Sequence, residues 1–549
     1  MFSGNISTMV NSLFVENSAR VAGGLLVARE NMTIIGSTFT RNSAEEVAGA
    51  IRTGLRASLI NVIIWDNELG GNKDIPEASF SSEINIDISS SIIANSGGSA
   101  NWRVSEYADD GGGNLDVDPI FADPENGDYS LSISSPAINR GDNTPFTSGG
   151  DAEGVTTDLA GNPRIYDGDP DPDVVDMGAY EFQDEPFGYP FLISPSNFET
   201  RVAVSPTFQW EEASLAEAYD LQLSLSPDFS NPVIDQNGLA TNEYSPSDEL
   251  RYGVTYYWRV RGTSSTLNGA WSSGQFQTTI SNAGDGSEAA PWEVATADQL
   301  NAVRADRDGF FIQTADIDLT EVTREGGSYW NDGLGWEPIG KTGESFLGNY
   351  NGNGHVITGM YINRPDRERT GLFGSVSTAT IRGVGIVEPE ITGGNATGGL
   401  AGLINDGIIS ESYVSGGSVT GDNQTGGLVG VTTNTNTLIE NVYAGTNVTG
   451  QDGVGGLIGD VTGTLNNVYS FSYVSGTSNN GALIGTGSPS GNSEWYYSTE
   501  TGANDNGTGT GLDGDQMRQQ ASFSGFDFSN MWQIQSADFT SYPYLRLFT

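Results

Sequence analysis

Cysteine is absent from the 549 residues, so the chain has no disulfide framework, thiol nucleophile or thiolate-bound zinc. A single histidine, His355, excludes paired-histidine zinc sites, serine–histidine–aspartate triads and multi-histidine metal centres in one step. Lysine occurs twice, at Lys73 and Lys341, against 21 arginines and 70 acidic residues. The net charge of −47 excludes a nucleic-acid binder that works by neutralising phosphates. A lysine-poor, acidic surface reads as adaptation to saline surroundings, where charge repulsion is screened, or as a surface that holds divalent cations. No run approaches the roughly 18 apolar residues of a membrane span. The first residues lack the basic segment and apolar core of an export signal and start in mid-repeat, so the expected signal lies upstream of this chain.

Glycine is the residue in excess, 74 of 549, without a collagen-like period. That composition favours a β-rich fold with many turns over a helical bundle. The length corresponds to three or four units of roughly 150 residues each.

The first hundred residues repeat. Phe14-Val15-Glu16-Asn17-Ser18-Ala19 returns as Phe39-Thr40-Arg41-Asn42-Ser43-Ala44 and again as Ile64-Trp65-Asp66-Asn67. Asn17, Asn42 and Asn67 are spaced by 25 and 25 residues, and a further copy, Ile92-Ile93-Ala94-Asn95, follows after 28. Short β-branched runs such as Met32-Thr33-Ile34-Ile35 lie between them. A period in the twenties built of short strands predicts a parallel β-helix, with the asparagines stacked in a ladder at one corner. The repeat ends in an ordered series: Asp118-Pro119-Ile120-Phe121, Asp158-Leu159-Ala160-Gly161-Asn162-Pro163-Arg164 and Asp176-Met177-Gly178-Ala179-Tyr180-Glu181. Over residues 1–183 this series resembles the C-terminal end of bacterial right-handed parallel β-helix proteins of the pectate-lyase-like type. It is expected to form a polar, turn-rich cap over the open end of the helix.

Residues 187–280 differ in texture. Pro206-Thr207-Phe208-Gln209-Trp210, Ala218-Tyr219-Asp220-Leu221-Gln222-Leu223 and Tyr256-Tyr257-Trp258-Arg259-Val260-Arg261 alternate apolar and polar, which predicts a β-sandwich. The early Trp and the Tyr-Trp-Arg-Val strand resemble fibronectin type III domains, usually spacers or interaction modules. Its aromatics are expected in the core, with Trp258 or Trp271 as the alternative carbohydrate platform. Residues 281–290 read as a linker.

From residue 291 to 549 a Gly-Leu-x-Gly marker recurs at Gly371-Leu372-Phe373-Gly374, Gly399-Leu400-Ala401-Gly402, Gly427-Leu428-Val429-Gly430 and Gly456-Leu457-Ile458-Gly459. A degenerate copy, Ala482-Leu483-Ile484-Gly485, comes next, and a tyrosine marker at Tyr413, Tyr443 and Tyr469 keeps the same beat. This resembles the GLUG repeat of bacterial surface and adhesin-like proteins. The glycines are expected at tight corners and the leucines inside each turn. The fold class is therefore all-β: two β-solenoids joined by a fibronectin type III-like sandwich.

Chemistry has few candidates. His355 lies in a Gly-Asn-Gly-His turn and is read as structural. A polysaccharide lyase on the first solenoid would need an arginine base beside carboxylates that hold calcium. Arg29, Arg41, Arg52 and Arg56 are the candidate arginines; Glu45 and Glu46 lie close to Arg41, but no acidic cluster on neighbouring rungs is evident. The most acidic phrase places Asp167, Asp169, Asp171 and Asp173 at alternate positions, a candidate calcium site. It is not an EF-hand, because Pro172 and Gly178 occupy the positions that need Gly and Glu. The Asn-x-Ser/Thr triplets at Asn395, Asn423 and Asn447 are read as repeat corners. Function is expected to be non-catalytic adhesion by a bacterial secreted or cell-surface protein to polysaccharide, matrix or another cell. The alternatives are a secreted polysaccharide lyase or hydrolase and a structural stalk.

Overall fold

The computed structural model describes residues 7–27, 31–73, 75, 79–82, 86–165, 174–492, 494–501, 506–534 and 541–548. The chain divides into two compact units, Met1–Asp248 with Thr255–Gln277, and Glu249–Val254 with Thr278–Thr549. In both, the regular secondary structure is predominantly strand.

The first unit begins as a parallel β-solenoid. One turn consists of Met32–Ile35, Thr38–Thr40, Ser43–Ala44 and Ile51–Thr53, and the next turn starts at Ala57–Ile60. Met32 pairs with Ala57 and Leu13 with Thr38 and then Ile63, so the 25-residue spacing is the strand register itself. Ile34, Phe39, Ile51, Leu59, Ile64 and Ile88 point inward and are fully buried. Phe14 and Phe39 stack at 4.7 Å between centroids.

The asparagine ladder is present. Asn17 Nδ2 donates to Asn42 Oδ1 at 2.9 Å and Asn42 Nδ2 to Asn67 Oδ1 at 3.0 Å. The backbone N–H groups of Asn17 and Asn42 donate to the same two oxygens. Asn95 does not continue it. Ile64 pairs with Ile93, which places Ser96 opposite Asn67. Asn95 instead takes the left-handed corner (φ 63°) that Glu16, Arg41 and Asp66 occupy on the other rungs.

Residues 119–165 and 174–182 correct the expectation of an end cap: they run back along the side of the solenoid. Leu131, Ala137 and Met177 pack on the outward faces of Ile63 and Ile92. Phe146, Ala152 and Val175 cover Ile35, with Val10 and Ile60 beside it. Polar ties accompany them: Gly178 N–H donates to Asn61 O at 2.8 Å and Ala179 N–H to Thr38 Oγ1 at 3.0 Å. The physical reason is that outward Ile and Val side chains leave an apolar stripe on the solenoid wall, and burying it is favourable.

The same unit contains two antiparallel sheets. Leu192–Ser194, Phe208–Trp210 and Glu243–Tyr244 form one; Glu199–Val202, Ser272–Thr278, Thr255–Thr263, Ala218–Ser224 and Ile234–Leu239 form the other. Alternation along Thr255–Thr263 buries Tyr256, Trp258 and Val260; Trp258 meets Phe208, and Tyr256 meets Phe276.

The second unit is a larger parallel solenoid with five short strand segments per turn. Ala401–Asn405, Ile408–Ser410, Tyr413–Thr420 (bulged between Ser415 and Ser418, so that it fills two positions) and Asn423–Gly426 make one turn. Val429–Thr432 opens the next, with Ala401 paired to Val429. The helix Ala297–Ala302, capped by the Thr296 hydroxyl, lies near the start of this unit and buries Leu300. Residues of the 281–290 stretch bond to the same start, with Phe310 N–H donating to Gly286 O at 2.9 Å.

Leu372, Leu400, Leu428, Leu457 and Leu483 form a fully buried interior row, as the repeat implies. The last glycine of each marker is different from the expectation. Gly402, Gly430, Gly459 and Gly485 are not in the left-handed region. A Cβ on Gly430 would lie 2.5 Å from the Ala396 carbonyl carbon, and one on Gly459 2.4 Å from that of Gln424. These glycines let two sheets touch backbone to backbone, which is a packing requirement rather than a corner requirement.

Candidate functional site

Asp167, Asp169, Asp171 and Asp173 lie outside the described residues. Among the described residues no group of three or more His, Asp or Glu is arranged to hold a metal ion. Arg29 also lies outside them. Arg56 pairs with Asp87 at 3.2 Å, and Arg52 stands in an outward row between Leu26 and Ser81.

Arg41 has the acidic neighbours that were not evident in the sequence. Glu16 and Asp66, on the rungs before and after, each lie 3.6 Å from its guanidinium, and Lys73 reaches Asp66 at 2.6 Å. Glu125 and the Pro124 carbonyl, from residues 119–182, complete the surround. The 25-residue spacing that marked the asparagines also aligns these charges. Glu46, flagged by proximity, pairs with Arg20 at 3.5 Å instead. The Glu125 hydrogen bond raises the Arg41 pKa, which makes this side chain an anchor for the wrapping segment and a poor proton acceptor.

The phrases Asp158–Arg164 and Asp176–Glu181 of the ordered series converge on a buried knot. Arg164, 1% exposed, donates through Nη2 to the carbonyls of Gly178 at 2.7 Å and Asp176 at 3.2 Å. Its Nη1 lies 3.8 Å from Glu181. Asp176 accepts from the N–H groups of Asn139 and Phe182, and Asp158 from those of Asn162 and Glu181. Gly36 is required beside this knot, because a Cβ there would lie 2.5 Å from Arg164 Nη2. Burial, with Asp176 adjacent, pushes the Glu181 carboxyl up to about 9. With three carboxylates around one guanidinium, one retained proton is the favourable arrangement.

Trp258 is fully buried and forms part of the sandwich core. Trp271 lies under the guanidinium groups of Arg259 and Arg261, at 4.4 and 4.5 Å. His355 Nδ1 sits 3.1 Å from Asp316 Oδ1. Asn423 Nδ2 donates to Asn395 Oδ1 at 2.9 Å, a rung-to-rung pair, whereas Asn447 lies exposed within the strand Leu438–Thr449 and not at a corner.

On the second solenoid, one outward row is covered and another is open. Tyr413, Tyr443, Tyr469 and Tyr496 are in register, with centroids 4.8 Å apart for the first pair and 5.1 Å for the second. Phe523, Phe526, Trp532 and Leu545 of the C-terminal stretch pack over them. The open face carries Phe310, Asn349, Thr380, Ile408, Leu438, Thr464 and Ser490 in one register row. At its start lies a cleft of ≈ 470 Å³, lined by Phe310, Ile312, Asn349, Asn351, Thr380 and Arg382.

No protein-family profile matches the chain. The fibronectin type III, GLUG and pectate-lyase-like resemblances therefore rest on their residue patterns. The chain is similar to halomucin of Haloquadratum walsbyi, 34% identical over 165 residues, which is 29% of this chain and 2% of halomucin. It is also similar to a Gly-rich membrane protein of Evansella cellulosilytica, 37% identical over 122 residues, 22% of this chain and 13% of that protein. The matches thus span a small part of either relative. Their names are compatible with a cell-surface role. No described helix is long and apolar enough to cross a membrane.

Proposed function

We propose that this protein is a non-catalytic, secreted or cell-surface adhesin-like molecule that presents repeated β-solenoid faces to polysaccharide, matrix or other cells. The observation that carries this reading is the open face of the second solenoid. Its outward side chains repeat at strand spacing over seven rungs, while the neighbouring tyrosine row is sealed by the chain's own C-terminal stretch. A repeated face binds through many weak contacts whose effects combine once one is made. The acidic surface and the halomucin similarity support a saline, extracellular setting. Against a lyase on the first solenoid stands Arg41, already committed to Glu16, Asp66 and Glu125.

The test is incubation with a panel of neutral and uronic-acid polysaccharides, with calcium and with chelator. Each sample is scored for protein retained on the polymer and for shortened or unsaturated products. Retention without products is the expected result. Products that accumulate with time would replace this reading with the enzyme.

A further inference from the structure

We infer that the cleft at the start of the second solenoid is a binding subsite for a carboxylate-bearing sugar of an acidic polysaccharide, with Arg382 as its anion anchor. The inference rests on the polysaccharide-binding reading above and names the ligand class at one place on that face.

Three observations converge there. The first is geometry. Phe310, Asn349 and Thr380 stand in one register row and Ile312, Asn351 and Arg382 in the next. Three strands at about 4.8 Å and a two-residue step of about 6.7 Å give a patch of roughly 10 by 7 Å, the footprint of one sugar ring. The cleft volume of ≈ 470 Å³ falls within the range of small-ligand sites.

The second is charge. In the same unit Arg307, Arg324 and Arg367 each hold a carboxylate, at 3.3, 2.6 and 3.4 Å. Arg382 is exposed and makes no ion pair among the described residues. In a chain with 70 acidic and 23 basic residues, an uncommitted guanidinium in a cleft is a place where an outside anion is favoured. A guanidinium offers two parallel N–H donors, which match a carboxylate.

The third is the rest of the lining. Half-buried Phe310 and Ile312 supply an apolar floor for the C–H face of a ring. The amides of Asn349 and Asn351 and the Thr380 hydroxyl both donate and accept, as ring hydroxyls require. A neutral sugar would use the floor and the amides but leave Arg382 without a counter-charge. Glu288 on the rim and the net charge of −47 oppose a polyanion at long range, so binding should strengthen as salt screens that repulsion.

The experiment measures retention of the full chain on polygalacturonate, on its fully methyl-esterified form, on neutral dextran and on dextran sulfate, in low and in molar salt. Wild type should bind polygalacturonate at least ten-fold more tightly than the ester, and more tightly in molar than in low salt. Arg382→Gln should lose at least ten-fold, Arg382→Lys should lose less, and Arg52→Gln should match wild type. All variants should keep the wild-type thermal transition, since both arginines lie on outward faces. Equal retention of Arg382→Gln and wild type overturns the subsite. Equal retention of acid and ester forms overturns the carboxylate class while leaving polysaccharide binding in place. Dextran sulfate bound as tightly as polygalacturonate and lost in Arg382→Gln overturns carboxylate selectivity in favour of a general anion site. Retention on none of the four polymers removes the polysaccharide reading itself.

Discussion

In the first solenoid the strictest repeated row is asparagine, hydrogen-bonded rung to rung; in the second it is leucine flanked by glycine, held by close packing. Both also cover part of their own wall, again by different means. Residues 119–165 and 174–182 wrap the first solenoid around a buried guanidinium with three carboxylates, whereas aromatic rings of the C-terminal stretch seal the second by edge-on and tilted contacts with its stacked tyrosines. Parallel stacking leaves every turn with an outward face, and a face with apolar residues needs a partner. The chain supplies that partner twice, once with charge and once with rings. Those two locks should fail under different conditions.

The largest expected effect is on the charged lock. Arg164→Met leaves Asp176 and Glu181 buried without their cation and should cost about 4 kcal/mol of first-unit stability by denaturant unfolding. Leu428→Ala opens a cavity in the fully buried row of the second solenoid and should cost about 3 kcal/mol. Gly430→Ala, which adds one carbon against backbone that cannot move aside, should cost about 2 kcal/mol in the same unit. Asn42→Ala removes the middle of the ladder and should cost about 2 kcal/mol. Asn95→Ala, outside the ladder, should cost clearly less, and equal losses at Asn42 and Asn95 would contradict the register described here.

How much of this was legible follows from what a sequence encodes. The 25-residue period gave the first solenoid and its ladder because register and spacing are the same quantity in a parallel stack. Asn95 was misplaced because the period there is 28 by motif but 29 by pairing, and one residue moves a side chain from the ladder to the corner. The glycines were found but given the wrong cause, since composition does not separate a left-handed turn from a close approach. The motifs of residues 158–181 were visible in order, yet nothing local says that they close over the solenoid wall. Glu16, Arg41 and Asp66 share one corner position of the 25-residue period, but the period alone does not bring in Glu125 from the wrapping segment. Arg382 carries no motif at all; only the fold shows that it lies in a cleft and forms no ion pair among the described residues.

The most direct test of the two-lock account is hydrogen exchange across pH, read separately for the wrapping segment and the C-terminal stretch. Glu181 holds its proton in the folded state up to about 9, while an unfolded glutamate releases it near its ordinary value of 4.5. The unfolded state therefore binds fewer protons across that window, and stability must fall as pH rises through it. Burial raises the phenols of the second lock, Tyr413 to about 12, so that lock has no such slope below pH 9. The account predicts that protection of residues 174–182 declines from pH 6 to 9 in wild type, flattens in Glu181→Gln, and stays constant over residues 523–532 in both. Equal pH dependence in the two segments, or an unchanged slope in Glu181→Gln, would contradict it.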